Sequence, residues 1–171
     1  MFDITENSKL INVSPPIDAA TGSIGLATEW ISMKNAEKAT FMLSIGANSG
    51  SSMSVSLSVA NDASGTKSAT IAHASTTLSL EYLYKQSGDT YTKVSTTSNA
   101  LVCSASSYDN CIMVAEVPAA AMGTFVASST TYNAEYIRMT ATDPVGSCLV
   151  SCSCLLTGLR YQQDAPPTAI T

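Results

Sequence analysis

Charge is scarce in this chain. Asp, Glu, Lys and Arg make up 12% of its 171 residues, about half the usual share of roughly 25%. What charge there is leans acidic, 13 acids against 8 bases for a net −5. That excludes the basic stripe needed to neutralise nucleic-acid phosphates, and the plain reading of its sign is solubility. Histidine is nearly missing. His73 is the one copy, which excludes multi-histidine metal centres. A Ser-His-Asp arrangement would need His73, yet no G-x-S-x-G accompanies it, so His73 reads as a loop or strand-end residue. No G-x-G-x-x-G or G-x-x-x-x-G-K-[ST] occurs, so no phosphate-cradling loop is visible. No apolar run reaches the roughly 18 residues of a membrane-spanning helix. The first residues, Met1-Phe2-Asp3-Ile4-Thr5-Glu6, lack the basic and apolar regions of a secretory signal. The expectation is a soluble protein of the cytosol in which it is made, with no membrane and no nucleic-acid partner. Helical periodicity is equally sparse: Pro118-Ala119-Ala120-Ala121-Met122 is the one good candidate, with proline at a plausible first position.

Cysteine is present but poorly arranged for chemistry. Cys103, Cys111, Cys148, Cys152 and Cys154 are odd in number, and in a cytosolic product thiols are the default. Cys148-x3-Cys152-x-Cys154 lacks the C-x2–4-C pairs of zinc sites. On a strand the three share one face and are spread along it, so they do not converge on an ion. They read as small buried hydrophobes, and no metal or cofactor is expected.

What is abundant is serine in alternation with aliphatic residues. In residues 51–59, Met53, Val55, Leu57 and Val59 fall on one parity and Ser52, Ser54, Ser56 and Ser58 on the other. Strand side chains alternate faces, so this is a strand with one apolar and one hydroxyl-bearing, wet face. Residues 39–45 repeat the pattern with Phe41, Leu43 and Ile45 in phase, and Gly46-Ala47-Asn48-Ser49-Gly50 reads as a hairpin-like connection between the two. Residues 29–34 read as a strand, with Trp30 opposite Ile31 and Met33 at the core edge or at an interface. Residues 78–85, 91–96 and 136–141 are further strands, and Gln86-Ser87-Gly88-Asp89-Thr90 turns the chain between the first two. Residues 111–117 and 148–156 are so apolar that they read as central strands covered on both faces.

Both ends differ from the body. Ile4, Leu10, Ile11 and Val13 suit a first strand or an arm lying on a neighbour. Ser14-Pro15-Pro16 then breaks a ladder, because proline has no N–H to donate. The last stretch holds Pro166, Pro167, Gln162 and Gln163 and reads as an extended arm. Strands spaced about 8–12 residues apart indicate an all-β fold. The expected form is an antiparallel two-sheet sandwich, the jelly roll being one arrangement that fits. It is one domain over residues 1–171, with extended arms at 1–16 and 158–171. The acids Asp18, Glu29, Asp62, Asp89, Asp109 and Asp143 are scattered over loops, where the simplest role is turn chemistry.

Several stretches resemble a group of small structural proteins of tailed bacteriophages, the head decoration (cement) proteins. They are Val13-Ser14-Pro15-Pro16-Ile17-Asp18-Ala19-Ala20, Trp30-Ile31-Ser32-Met33-Lys34-Asn35-Ala36, Ala39-Thr40-Phe41, Leu156-Thr157-Gly158-Leu159-Arg160-Tyr161-Gln162-Gln163 and Pro166-Pro167-Thr168-Ala169-Ile170. The likeness covers the ends better than the middle. Family members are expected to carry proline after the Arg-Tyr pair, where Gln162 stands here. The resemblance implies a virion protein on the capsid surface, made in the host cytoplasm. It implies a non-enzymatic structural role, with the major capsid protein and further copies of itself, as a homotrimer, for partners. Its contacts would come from the arms: Ile11, Val13, Pro15 and Pro16 on one, Arg160, Tyr161, Gln162, Pro166 and Pro167 on the other. Extended arms gain backbone bonds and apolar contacts from a neighbour, and a lattice multiplies a modest contact by avidity. The competing expectations are a tail or head–tail connector subunit, a carbohydrate-binding sandwich using exposed tyrosines or Trp30, and, last, an enzyme.

Overall fold

The computed structural model describes residues 8–19, 25–71, 82–87 (backbone only), 89–94, 99–105 and 107–159. The chain is all-β, with two antiparallel sheets packed together as the alternation requires. The first sheet has six strands in the order β1 (Ser8–Asp18), β14 (Cys148–Thr157), β4 (Lys38–Asn48), β10 (Cys111–Pro118), β7 (Tyr82–Ser87) and β8 (Thr90–Val94). The second runs β2 (Leu26–Ala27), β13 (Tyr136–Ala141), β5 (Met53–Ala60) and β6 (Ser68–Thr70). In addition, β3 (Ile31–Ser32) pairs with β13 and β9 (Leu101–Cys103) with β5. A separate hairpin joins β11 (Thr124–Ala127) to β12 (Thr130–Asn133), with Phe125 stacked on Tyr132 at 5.8 Å.

The core lies between the sheets. Phe41 and Leu43 of β4, Met113 and Ala115 of β10, and Cys152 and Cys154 of β14 face Met53, Leu57 and Val59 of β5 and Ile137 and Met139 of β13, all buried. Each large aliphatic side chain among them contributes about 1.5–3 kcal/mol on burial. Sulfur stitches the layers: the Cys152 thiol lies 3.8 Å from Met139 Sδ, and Cys103 Sγ lies 3.3 Å from Met113 Sδ. The helix candidate is a single turn, α1 (Ala119–Met122), which drops Met122 into the core. Pro118 stands just before it as the extended cap residue, and Gly123 ends it at φ 55°.

Four expectations need correction. First, β4 and β5 do not form a hairpin. They lie in different sheets, and residues 49–52 arch between the layers. Residues 142–147 make a second such arch from β13 to β14, and the two lie against each other. Ser51 donates from its N–H and its Oγ to Pro144 O, at 2.6 and 2.8 Å, and Ser49 N–H donates to Ser147 O. A Cβ on Gly50 or Gly146 would run into the backbone of the other arch. Alternation with a Gly-rich connection suits a hairpin and a sheet-crossing arch alike, because both join strands with buried parity.

Second, β10 and β14 are central strands covered on one face only. Their burial alternates, leaving Leu149 59% exposed and Ile112 38% exposed. Third, residues 8–16 are not a free arm. Ser8 to Asp18 pairs with β14 as the sheet's edge strand. Ser14-Pro15-Pro16 interrupts the ladder with register shifts instead of ending it, since pairing resumes at Ile17↔Val150. Fourth, the strand expected over residues 29–34 shrinks to Ile31–Ser32. Ala27 pairs with Thr140 and Ile31 with Ile137, so four residues on one side span three on the other. That is a bulge, and Trp30 sits in it. Thr28 stabilises the bulge, its N–H donating to Met139 O and its Oγ1 accepting from Met139 N–H, both at 3.0 Å.

Candidate docking surfaces

Strand alternation builds the outer face of the six-stranded sheet from the residues the core does not take. In register across it lie Asn12, Ser153, Met42 and Val114, next to a row of Leu10, Leu155, Thr40 and Glu116, then Ser151, Ser44 and Ile112. Aliphatic and hydroxyl side chains alternate here. Leu10 is 61% exposed. Charge on it is sparse: Lys38 Nζ meets Glu116 Oε1 at 2.9 Å, Thr40 Oγ1 reaches the same oxygen, and Lys93 stands exposed in the row of Val114. Such a face costs less to desolvate than a charged one.

One pole of the sandwich joins the start of the first strand to the end of the last. Ser8 pairs with Thr157, Thr157 with Lys38, and Lys38 with Pro118. Glu37 N–H donates to Thr157 O, and Ala119 N–H to Glu37 O. Gly158 at φ +66° packs on the Glu37 side chain. Ser8 at the start of β1 and Gly158 just past β14 therefore lie at one pole.

The second sheet's outer face carries the serines. Ser56 Oγ and Thr140 Oγ1 are 2.8 Å apart, and Ser58 is buried, so this face is less wet than the sequence pattern implies. The bulge turns Trp30 onto it, where Arg138 Cζ lies 4.4 Å from the ring centroid. Gly65 at φ +66° packs against the same indole.

The residues expected to touch a partner separate cleanly. Ile11 and Val13 face the core at 6% exposure each, so they hold β1 in place and are not available to a neighbour. Pro15 and Pro16 are exposed at the ladder interruption. Arg160, Tyr161, Gln162, Pro166 and Pro167 lie outside the described residues, as does His73. Leu149 and Ile112 were missed because an exposed aliphatic residue on a strand looks like core until its sheet is known. The Trp30–Arg138 pair was missed because the two residues are 108 positions apart and depend on the bulge.

The acids hold loops. Asp18 accepts from Ser147 Oγ at 3.0 Å and from Cys148 N–H at 3.1 Å. Asp109 accepts from Asn48 N–H at 2.8 Å, and Asp143 from Val145 N–H at 2.6 Å. Asp62 accepts from the Ser64 hydroxyl and amide, and the hydroxyl bond foremost holds its carboxyl below the usual range. All five cysteines are buried thiols without disulfides. Burial pushes Cys152 up to about 12 and Cys154 higher still, which suppresses the thiolate needed for metal ligation or nucleophilic attack. Among the described residues no helix is long and apolar enough to cross a membrane.

No protein-family model matches the chain, and no curated protein matches it. Among solved structures it is similar to a Clostridium thermocellum endo-1,4-beta-D-xylanase 10B fragment, the CBM22-1–GH10 modules complexed with xylohexaose. That similarity has a TM-score of 0.36 and 11% identity, and it covers 92% of this chain and 26% of that one. The chain thus spans about a quarter of that protein's length.

Proposed function

We propose that this chain is a non-enzymatic structural protein of a tailed-phage head, bound on the major-capsid-protein lattice as a homotrimer and stabilising the shell. The observation that carries the reading is the common pole. Ser8 and Thr157 are cross-strand partners, so the first strand begins and the last strand ends at the same pole of the sandwich. Contacts made from two points joined in this way would add as linked binding events. The resemblance in the sequence supports the identity of that neighbour. The sparse charge on the described outer face of the six-stranded sheet supports protein contact over nucleic-acid contact, which needs a cluster of cations.

A sugar-binding role has less support. The expectation rested on Trp30 or exposed tyrosines, and the ring face of Trp30 is occupied by Arg138.

The test is co-sedimentation of the purified chain with heads of the encoding phage assembled without it. Saturable binding is expected, together with greater resistance of the heads to heat. Deletion of residues 1–7 and 160–171 together should abolish the binding while the sandwich still folds. Heads that sediment with no bound protein contradict the reading.

A further inference from the structure

We propose that Arg138, laid on Trp30 at the outer face of the second sheet, is a docking point for an aspartate or glutamate side chain of a protein partner. The inference stands on the geometry of this pair and does not need the shell reading. Arg138 Cζ sits 4.4 Å from the Trp30 ring centroid, a cation–π distance. The indole is in turn fixed by the bulge that presents it and by Gly65 packed against it. Of the three guanidinium nitrogens, only Nε is both buried and unpaired. Among the described residues no carboxylate lies within ion-pair distance of Arg138.

A buried donor without an acceptor is uncommon, and here it belongs to a cation that no carboxylate among the described residues compensates. The pair of Nη groups is the edge left for a counter-ion. Guanidinium is planar and always charged, and it matches a carboxylate through two parallel N–H···O bonds. Stacking has already restricted the side chain, so little rotamer entropy is lost when the carboxylate arrives. The surroundings supply hydroxyls: Ser58 lies opposite Arg138 in register, and Ser56 and Thr140 bond each other nearby. The ring face that a sugar would stack on is already covered, which favours a protein carboxylate over an acidic glycan.

Arg138 and Arg160 are the two arginines of the chain, and Trp30 is its one tryptophan, so side-chain NMR reads the site directly. The 15N-labelled full chain is titrated with a capped tetraglutamate peptide, the matching tetraglutamine peptide and tetragalacturonate. The expected result is a saturable shift of the Arg138 guanidinium and Trp30 indole signals with tetraglutamate alone, weakened by added salt. Arg138→Lys keeps the charge and loses the fork, and should remove the saturable indole shift while the backbone spectrum stays folded. The proposal is overturned if Arg138 shifts no more than Arg160, or if tetraglutamine acts equally. It is also overturned if Arg138→Lys binds as well as the parent, or if tetragalacturonate saturates at lower concentration than the glutamate peptide.

Discussion

The thiols show most directly how environment decides what a residue does. Cys148, Cys152 and Cys154 share the inward face of β14, while Cys103 on β9 and Cys111 on β10 are buried from opposite sheets. A thiol at 0–3% exposure is shielded from reagents and held protonated by burial. None of the five should react with a chromogenic disulfide reagent in the native protein, and all five should react once it is unfolded; fast labelling of the native chain would refute this packing. The same burial sets a pH dependence. The folded pKa of Cys152 is raised to about 12 from 9.0, and that of Cys154 is raised too. Between the unfolded and folded values, the native state therefore binds more protons than the unfolded one. Stability is then complete below about pH 9 and falls above it, by roughly 1.4 kcal/mol per pH unit for each such thiol. Denaturant melts from pH 7 to 10.5 check this, and Cys152→Ala should flatten the alkaline slope.

At the scale of elements, the paired arches set the relation between the sheets. Gly50 and Gly146 touch backbone to backbone, where no flexible side-chain end is available to yield. Gly146→Ala should destabilise by about 1–3 kcal/mol through overpacking, read from the urea midpoint at unchanged slope. In the same arch Val145 holds φ 57° while 83% exposed. A β-branched residue is strained there, so Val145→Asn should stabilise by about 1 kcal/mol; a loss would mean the turn has another geometry. These arches also explain what could be read in advance. Parity alone identified the inward residues of β4, β5 and β14, because a one-residue slip would expose the whole set. Parity cannot say which sheet a strand joins, so the arch was mistaken for a hairpin. Nor can it separate a strand covered on both faces from one whose outer face keeps Leu149 or Ile112 for contact. The Trp30 bulge was illegible for a different reason: it is a count of residues against a partner strand that lies about a hundred positions away.

At the scale of the whole molecule, low charge, an outer sheet face with few charges, and first and last strands that meet at one pole fit a subunit that works by contact. Exposed Leu10 and Leu149 lie on that face and contribute little to the core. Changing both to lysine should alter folding stability by about 0.5 kcal/mol or less per site, yet weaken co-sedimentation with phage heads. Unchanged co-sedimentation would exclude this face from the contact. The central claim is that the chain covers a capsid lattice, and its copy number tests that claim most directly. Quantitative mass spectrometry of purified particles of the encoding phage, measured against the major capsid protein, should give a ratio near one to one. A ratio of a few per hundred would place it at a connector, vertex or tail instead, and its absence from the particles would contradict the account.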